Sequence, residues 1–142
     1  MSDFLLDVNL LVALSLTTHQ HHAAATRWFG QGVTWATTPM TEAAYLRLLT
    51  NPRVTGHEIG GAEVLAALGE MRAVPTHRFL ADDSSLAEPH VDTSWLAGPS
   101  QVTDFHLLNL AAAHQLRLAT FDASFARALA PADRRHLHVL TD

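Results

Sequence analysis

Short apolar runs alternating with longer, helix-spaced patterns constrain this chain more than any other feature. Phe4-Leu5-Leu6, Val33 to Thr37, His77 to Leu80, Leu116 to Phe121 and His138 to Leu140 read as strands. Between them, Asn9 to Leu16, His21 to Phe29, Pro39 to about Thr50, Ala62 to Arg72, a segment capped by Ser100 through His114, and Ala123 to Leu129 carry helical spacing. Continuous apolar strands without polar alternation suit a parallel sheet covered on both faces. The expected fold is therefore α/β, with a mostly parallel central sheet. Functional residues in such folds gather beyond the carboxyl ends of the strands.

Local signals sharpen some boundaries. Thr38-Pro39 supplies a cap followed by proline at the first helical position, and that helix must stop before Pro52. In the Ser100 helix, Leu107, Leu108, Ala111 and Gln115 are spaced for one face. Residues 81–99, with Pro89, Gly98 and Pro99, predict a short helix and a loop. The 142 residues hold no internal repeat or long linker, and 48% are hydrophobic. One domain over 1–142 with one core is expected.

Several function classes are excluded. No basic leader or small-residue cleavage site follows Met1, and no apolar run approaches the ~18 residues of a membrane span. A cytoplasmic protein without a membrane partner is expected. The absence of cysteine rules out disulfides, thiolate catalysis and cysteine-type zinc sites. A dinucleotide site would place G-x-G-x-x-G after the first strand, where Asp7-Val8-Asn9 stands instead. A serine hydrolase would show G-x-S-x-G, which is missing. Ten histidines include a group at His19, His21 and His22 and a pair at His136 and His138. No H-E-x-x-H spacing accompanies them, so solvated helix ends or core-edge rings are expected.

Four acids occupy one kind of position. Asp7 and Asp122 follow strands directly, while Glu42 and Asp104 fall in the first turns of helices. Each alone reads more readily as a helix cap than as a metal ligand. Together, at the carboxyl edge of a parallel sheet, they would repel one another, and some would take up protons. A hard divalent cation relieves that conflict, because Mg²⁺ and Mn²⁺ prefer oxygen ligands. Such a site can activate water against a phosphodiester without a serine or cysteine nucleophile.

The formal charge of −5 disfavours a nonspecific nucleic-acid binder. Cations in the acidic site would offset it, leaving Arg27, Arg47, Arg53, Arg72 and Arg78 as a local basic rim. Arg47 and Arg53 are placed either to face phosphates or simply to be solvated. Trp28, Phe29, Trp35 and Trp95 offer base-stacking surfaces. Trp28 and Phe29 fit a core or dimer contact better, and Trp95 is the stronger substrate candidate.

Four motifs carry a family resemblance: Leu5-Leu6-Asp7-Val8-Asn9, Thr41-Glu42-Ala43-Ala44-Tyr45-Leu46-Arg47, Thr103-Asp104-Phe105-His106-Leu107-Leu108-Asn109, and Thr120-Phe121-Asp122-Ala123-Ser124-Phe125. In order and spacing they resemble PIN domains, across residues 5–125. With no appended domain, and with His21 to Phe29 followed by Trp35-Ala36-Thr37, the chain is most similar to the VapC toxins of VapBC toxin–antitoxin modules. The resemblance implies a three-layer α/β/α sandwich. It implies a Mg²⁺- or Mn²⁺-dependent endoribonuclease whose metal acids are Asp7, Glu42, Asp104 and Asp122, with Asp122 the weakest ligand. Asn9, Thr103 and Thr120 become candidates for holding those carboxylates in place. RNA as substrate, a VapB-type antitoxin and a homodimer are implied as partners. Two alternatives stay open, a catalytically silent PIN-like binding module and a PIN ribonuclease of RNA processing. Loss of activity would usually delete an acid, and none is missing. A short antitoxin reading frame upstream would mark the toxin.

Overall fold

A computed structural model describes residues 3–142. Five strands form one sheet in the order β3-β2-β1-β4-β5, and every neighbouring pair is parallel. They are β1 (Asp3–Leu6), β2 (Thr34–Thr37), β3 (His77–Phe79), β4 (Arg117–Thr120) and β5 (Leu137–Val139). The helices are α1 (Val8–Ser15), α2 (His22–Phe29), α3 (Pro39–Leu49), α4 (Pro52–Thr55), α5 (Gly61–Arg72), α6 (Val102–Ala113) and α7 (Ala123–Arg127).

The chain starts in the middle of the sheet, moves outward through β2 to β3, then returns to the other side of β1 as β4. Crossovers of one hand that move in opposite directions put their helices on opposite faces. Two cores result. Phe4, Leu6, Trp35 and Ala119 pack with residues of α1, α2, α3 and α5. Leu5, Ala36 and Leu118 pack with residues of α6 and α7. This is the expected three-layer sandwich. Reversal of strand order leaves a crevice at the carboxyl ends of β1 and β4, the place where open α/β sheets bind ligands.

Most expected elements recur with ends shifted by a few residues. At α3, Thr38 is the cap, Pro39 opens the helix, and Thr41 Oγ1 accepts from the Thr38 N–H at 3.1 Å. Some sequence expectations change, and one element is added. Ser100 lies in a 3₁₀ turn over Pro99–Gln101, and α6 starts at Val102 with Gln101 in the cap position. Gln115 does not continue the apolar face. It lies beyond the helix at φ 60° and turns the chain, so that the Leu116 N–H reaches the Ala111 carbonyl at 2.8 Å. Pro52 does end α3, but Asn51 and Pro52 also start the one-turn α4.

Residues 81–99 hold no α-helix, only one 3₁₀ turn at Thr93–Trp95 and the first residue of the next. Long-range bonds fix this segment instead. Buried Asn109 accepts from the His90 N–H at 2.6 Å and donates to the Ser85 carbonyl at 3.2 Å. Asp133 accepts from the Asp92 N–H at 2.7 Å. Among the described residues, no helix is long and apolar enough to cross a membrane.

Candidate active site

Asp7 leaves β1 at the crevice. Its N–H still bonds to the Ala119 carbonyl of β4 at 2.9 Å, so the backbone is locked into the sheet edge. Its Oδ1 accepts from the Val8 N–H at 2.7 Å, and its Oδ2 accepts from the Thr120 hydroxyl at 2.7 Å. The same hydroxyl accepts from the Asp122 N–H at 3.1 Å. Thr120 thus ties one acid to the backbone of the next. Asp122 caps α7, its Oδ1 accepting from the Ser124 N–H at 3.0 Å. Asp104 stands in the first turn of α6 and shares a cleft with Asp122, Ser100, Gln101 and Ser124.

Charge couples these three aspartates. Burial raises the Asp7 carboxyl above its usual range, the bonds from Thr120 and Val8 oppose that shift, and the charge of Asp122 adds to it. Asp104 is pushed up to about 6, by burial first and then by Asp7 and Asp122. No hydrogen bond contributes to its shift.

Glu42 stands in a neighbouring network. It is 9% exposed, its Oε2 accepts from the Thr37 hydroxyl at 2.6 Å, and Arg72 Nε lies 3.5 Å from the same oxygen. A nearly buried carboxylate needs a partner, and the end of α5 supplies a cation. Sequence spacing gave no sign of this pairing, because Arg72 is remote in the chain. Charge thus links Asp7, Asp104 and Asp122, while Thr37 and Arg72 hold the Glu42 carboxylate. Among the described residues, no three His, Cys, Asp or Glu side chains converge into a ready-made metal cage.

Of the three supporting candidates, Thr120 makes the expected contact. Asn9 is exposed in a second cleft beside His19, His21, Phe121 and Asp122. Thr103 is exposed along a groove with Met40, Arg47 and Asp82, outside the cleft of Asp104. The histidines have other partners. His21 Nδ1 meets Asp142 Oδ1 at 2.7 Å and stacks on Phe121, while His138 packs against Phe4 and Trp28. Trp35 is 1% exposed and closed to any base, whereas Trp95 is 43% exposed on the 81–99 segment. Trp28 and Phe29 pack against the first core.

The donor set is all oxygen, and the Asp104 carboxyl is raised by burial and by the charges of Asp7 and Asp122. It fits a hard divalent cation. Two outcomes test this electrostatic picture. Replacing Thr120 with Val removes the bond that lowers the Asp7 pKa and frees the Asp122 N–H. Mn²⁺ affinity by calorimetry should fall by about 10- to 100-fold, and unchanged affinity would contradict the bridging role. The second outcome concerns pH. Between its ordinary value of 3.8 and about 6, Asp104 holds a proton in the folded chain that the unfolded chain has released. Its contribution to stability therefore falls as pH rises through that window. In chelator, the thermal midpoint of Asp104→Asn minus that of the wild type should grow from pH 4 to pH 7. A constant difference would mean that Asp104 is unstrained.

Comparison with known proteins identifies relatives of the whole fold. A family model described as PIN domain matches residues 4–129. Ribonuclease VapC38 of Mycobacterium tuberculosis is 50% identical over 121 residues, covering 84% of each chain. Ribonuclease VapC39 of the same species is 44% identical over 86% of this chain and 90% of its own length. Ribonuclease VapC44 is 36% identical over 96% of this chain and 98% of its own. Among solved structures, VapBC2 from Rickettsia felis, bound to a DNA fragment from its promoter, superposes with a TM-score of 0.63 at 12% identity, covering 98% of this chain and 99% of that one. With the aspartates at the switch point of a parallel sheet and relatives matched over most of their length, the chain belongs to the PIN-domain family, in its VapC ribonuclease branch.

Proposed function

We propose that this protein is a Mg²⁺- or Mn²⁺-dependent endoribonuclease, a single domain over residues 1–142 that acts in the cytoplasm as the toxin of a toxin–antitoxin pair. The observation that carries the metal dependence is the Asp7–Asp104–Asp122 cluster, in which Asp104 is pushed up to about 6 by burial and by its two neighbours. Asp7, Asp104 and Asp122 would hold the ion, and Glu42 would complete the donor set. When bound, the cation supplies Lewis acidity toward water and the RNA phosphodiester.

The chain's own groups do the positioning. Thr120 and the Val8 N–H orient the Asp7 carboxylate, and Ser124 fixes Asp122. Partly buried Asp104 lines the cleft from the start of α6. The names of the relatives support RNA cleavage, and the VapBC structure supports a VapB-type antitoxin as partner. A homodimer completes the proposed assembly.

The test is purified protein on total RNA, with Mg²⁺ or Mn²⁺ and then with chelator, followed by mapping of the new ends. Discrete metal-dependent cuts are expected, and expression should arrest growth unless the upstream gene is co-expressed. Intact RNA with either metal would overturn the nuclease assignment. Cleavage without growth arrest would instead point to RNA processing.

A further inference from the structure

The clamp on Glu42 extends to the surface. Arg72, the last residue of α5, has its Nε 3.5 Å from Glu42 and its Cζ 4.7 Å from the centre of the Phe79 ring. Phe79 ends β3 and is register partner to Thr37, the residue whose hydroxyl holds Glu42. The ring is 48% exposed at the carboxyl edge of the sheet, and the Arg72 side chain is 43% exposed. One residue before Phe79 in the same edge strand, Arg78 is 48% exposed and pairs loosely with Asp3 at 3.6 Å. Arg72 is the cation on the Phe79 side of the strand, because Arg78, one residue earlier, points to the opposite face of the sheet.

Single exposed phenylalanines are ordinary on protein surfaces. This one differs in its setting. It has a guanidinium over its ring, and that guanidinium also faces an acid of the proposed active site. Phenyl faces stack on any nucleobase, and exposed guanidinium groups take phosphate oxygens in a planar fork. Both are what a single RNA strand needs as it leaves a cleavage site.

We propose that Phe79 and Arg72 form a binding subsite for single-stranded RNA beside Glu42 of the proposed site, the ring stacking on a nucleobase and the guanidinium holding the adjoining phosphate. The subsite rests on the ribonuclease reading above and names where its substrate lies. The sequence-level candidates for these roles, Trp95 and Arg47 or Arg53, are thereby joined by a pair that only the fold brings together.

Binding is measured in chelator, where no metal-dependent cut occurs, by fluorescence anisotropy of a short labelled oligouridine. Phe79→Leu keeps apolar volume but removes the stacking face, and should weaken binding about tenfold. Phe79→Trp should bind at least as tightly as the wild type. Arg72→Gln should also weaken binding and reduce the slope of log affinity against log salt by about 0.7. Circular dichroism and thermal midpoints of the Phe79 variants should match the wild type. Leu and Gln variants that both bind within about twofold of the wild type would overturn the subsite, as would a wild type that does not bind oligouridine. Failure of the nuclease reading is visible separately. If the wild type binds oligouridine through Phe79 but cuts no RNA with metal, the subsite stands and the catalytic assignment falls.

Discussion

Asp104→Asn is expected to slow RNA cleavage by at least about a thousandfold, which is ~4 kcal/mol of lost transition-state stabilisation. Asparagine keeps the size of the side chain and deletes its charge. The Asp104 carboxyl is shifted by burial and by its neighbours' charges alone, so the substitution sacrifices no hydrogen bond that contributes to that shift. The metal-free variant should be at least as stable as the wild type at neutral pH, because a strained negative charge is gone. Lost activity with retained or raised stability separates a ligand from a structural residue. Asp7→Asn should be equally inactive but is the less clean test. Both Asp7 oxygens accept hydrogen bonds, and an amide nitrogen facing Thr120 would meet a hydroxyl that already accepts from Asp122. Single-turnover cleavage by purified Asp104→Asn at the wild-type rate would end its assignment to the metal.

The second large effect lies one residue further on. Phe105 is fully buried and meets Phe125 edge-on, with ring centres 5.5 Å apart at 80°. It anchors the start of α6 against α7, which fixes where Asp104 and Asp122 stand relative to each other. Phe105→Ala should cost about 3–5 kcal/mol, from lost burial plus the cavity left behind. Domains of this kind total only about 5–15 kcal/mol, so the thermal midpoint should drop on the order of 10 °C. Urea unfolding gives the free energy directly. A loss below about 1 kcal/mol would show that α6 and α7 are held by other contacts.

What could be read from the chain follows the range of the forces involved. β1 was legible because a strand buried on both faces must be continuously apolar, as Phe4-Leu5-Leu6 is. The start of α3 was legible because Thr38 and Pro39 act on backbone within one turn. Asp7, Asp104 and Asp122 were legible as a group because each sits at a strand end or helix start, and parallel topology sends those to one edge. The misplaced start of α6 is also local, but a 3₁₀ turn and a first α-turn accept the same residues.

The clamp on Glu42 was not legible. Which way a first-turn side chain points depends on what packs beside the helix, and Arg72 reaches it only because α5 lies against α3. The path of residues 81–99 was hidden for a similar reason. Its bonds run to Asn109 and Asp133, and its own sequence has no periodic pattern to follow. Phe79 illustrates the limit from the other side. Its residue type suits a strand, and nothing in the neighbouring letters indicates that β3 ends at an open edge.

The bond between Asp7 and Thr120 joins residues 113 positions apart. A ribosome adding about ten residues per second delivers Asp7 roughly ten seconds before Thr120. Until β4 has emerged and slotted beside β1, the pocket has one wall, Asp122 has not been made, and a stalled or truncated chain carries no working nuclease. The cleft is therefore assembled only once the ribosome has passed Asp122, and most of the synthesis goes by with the first acid still waiting for its counterparts.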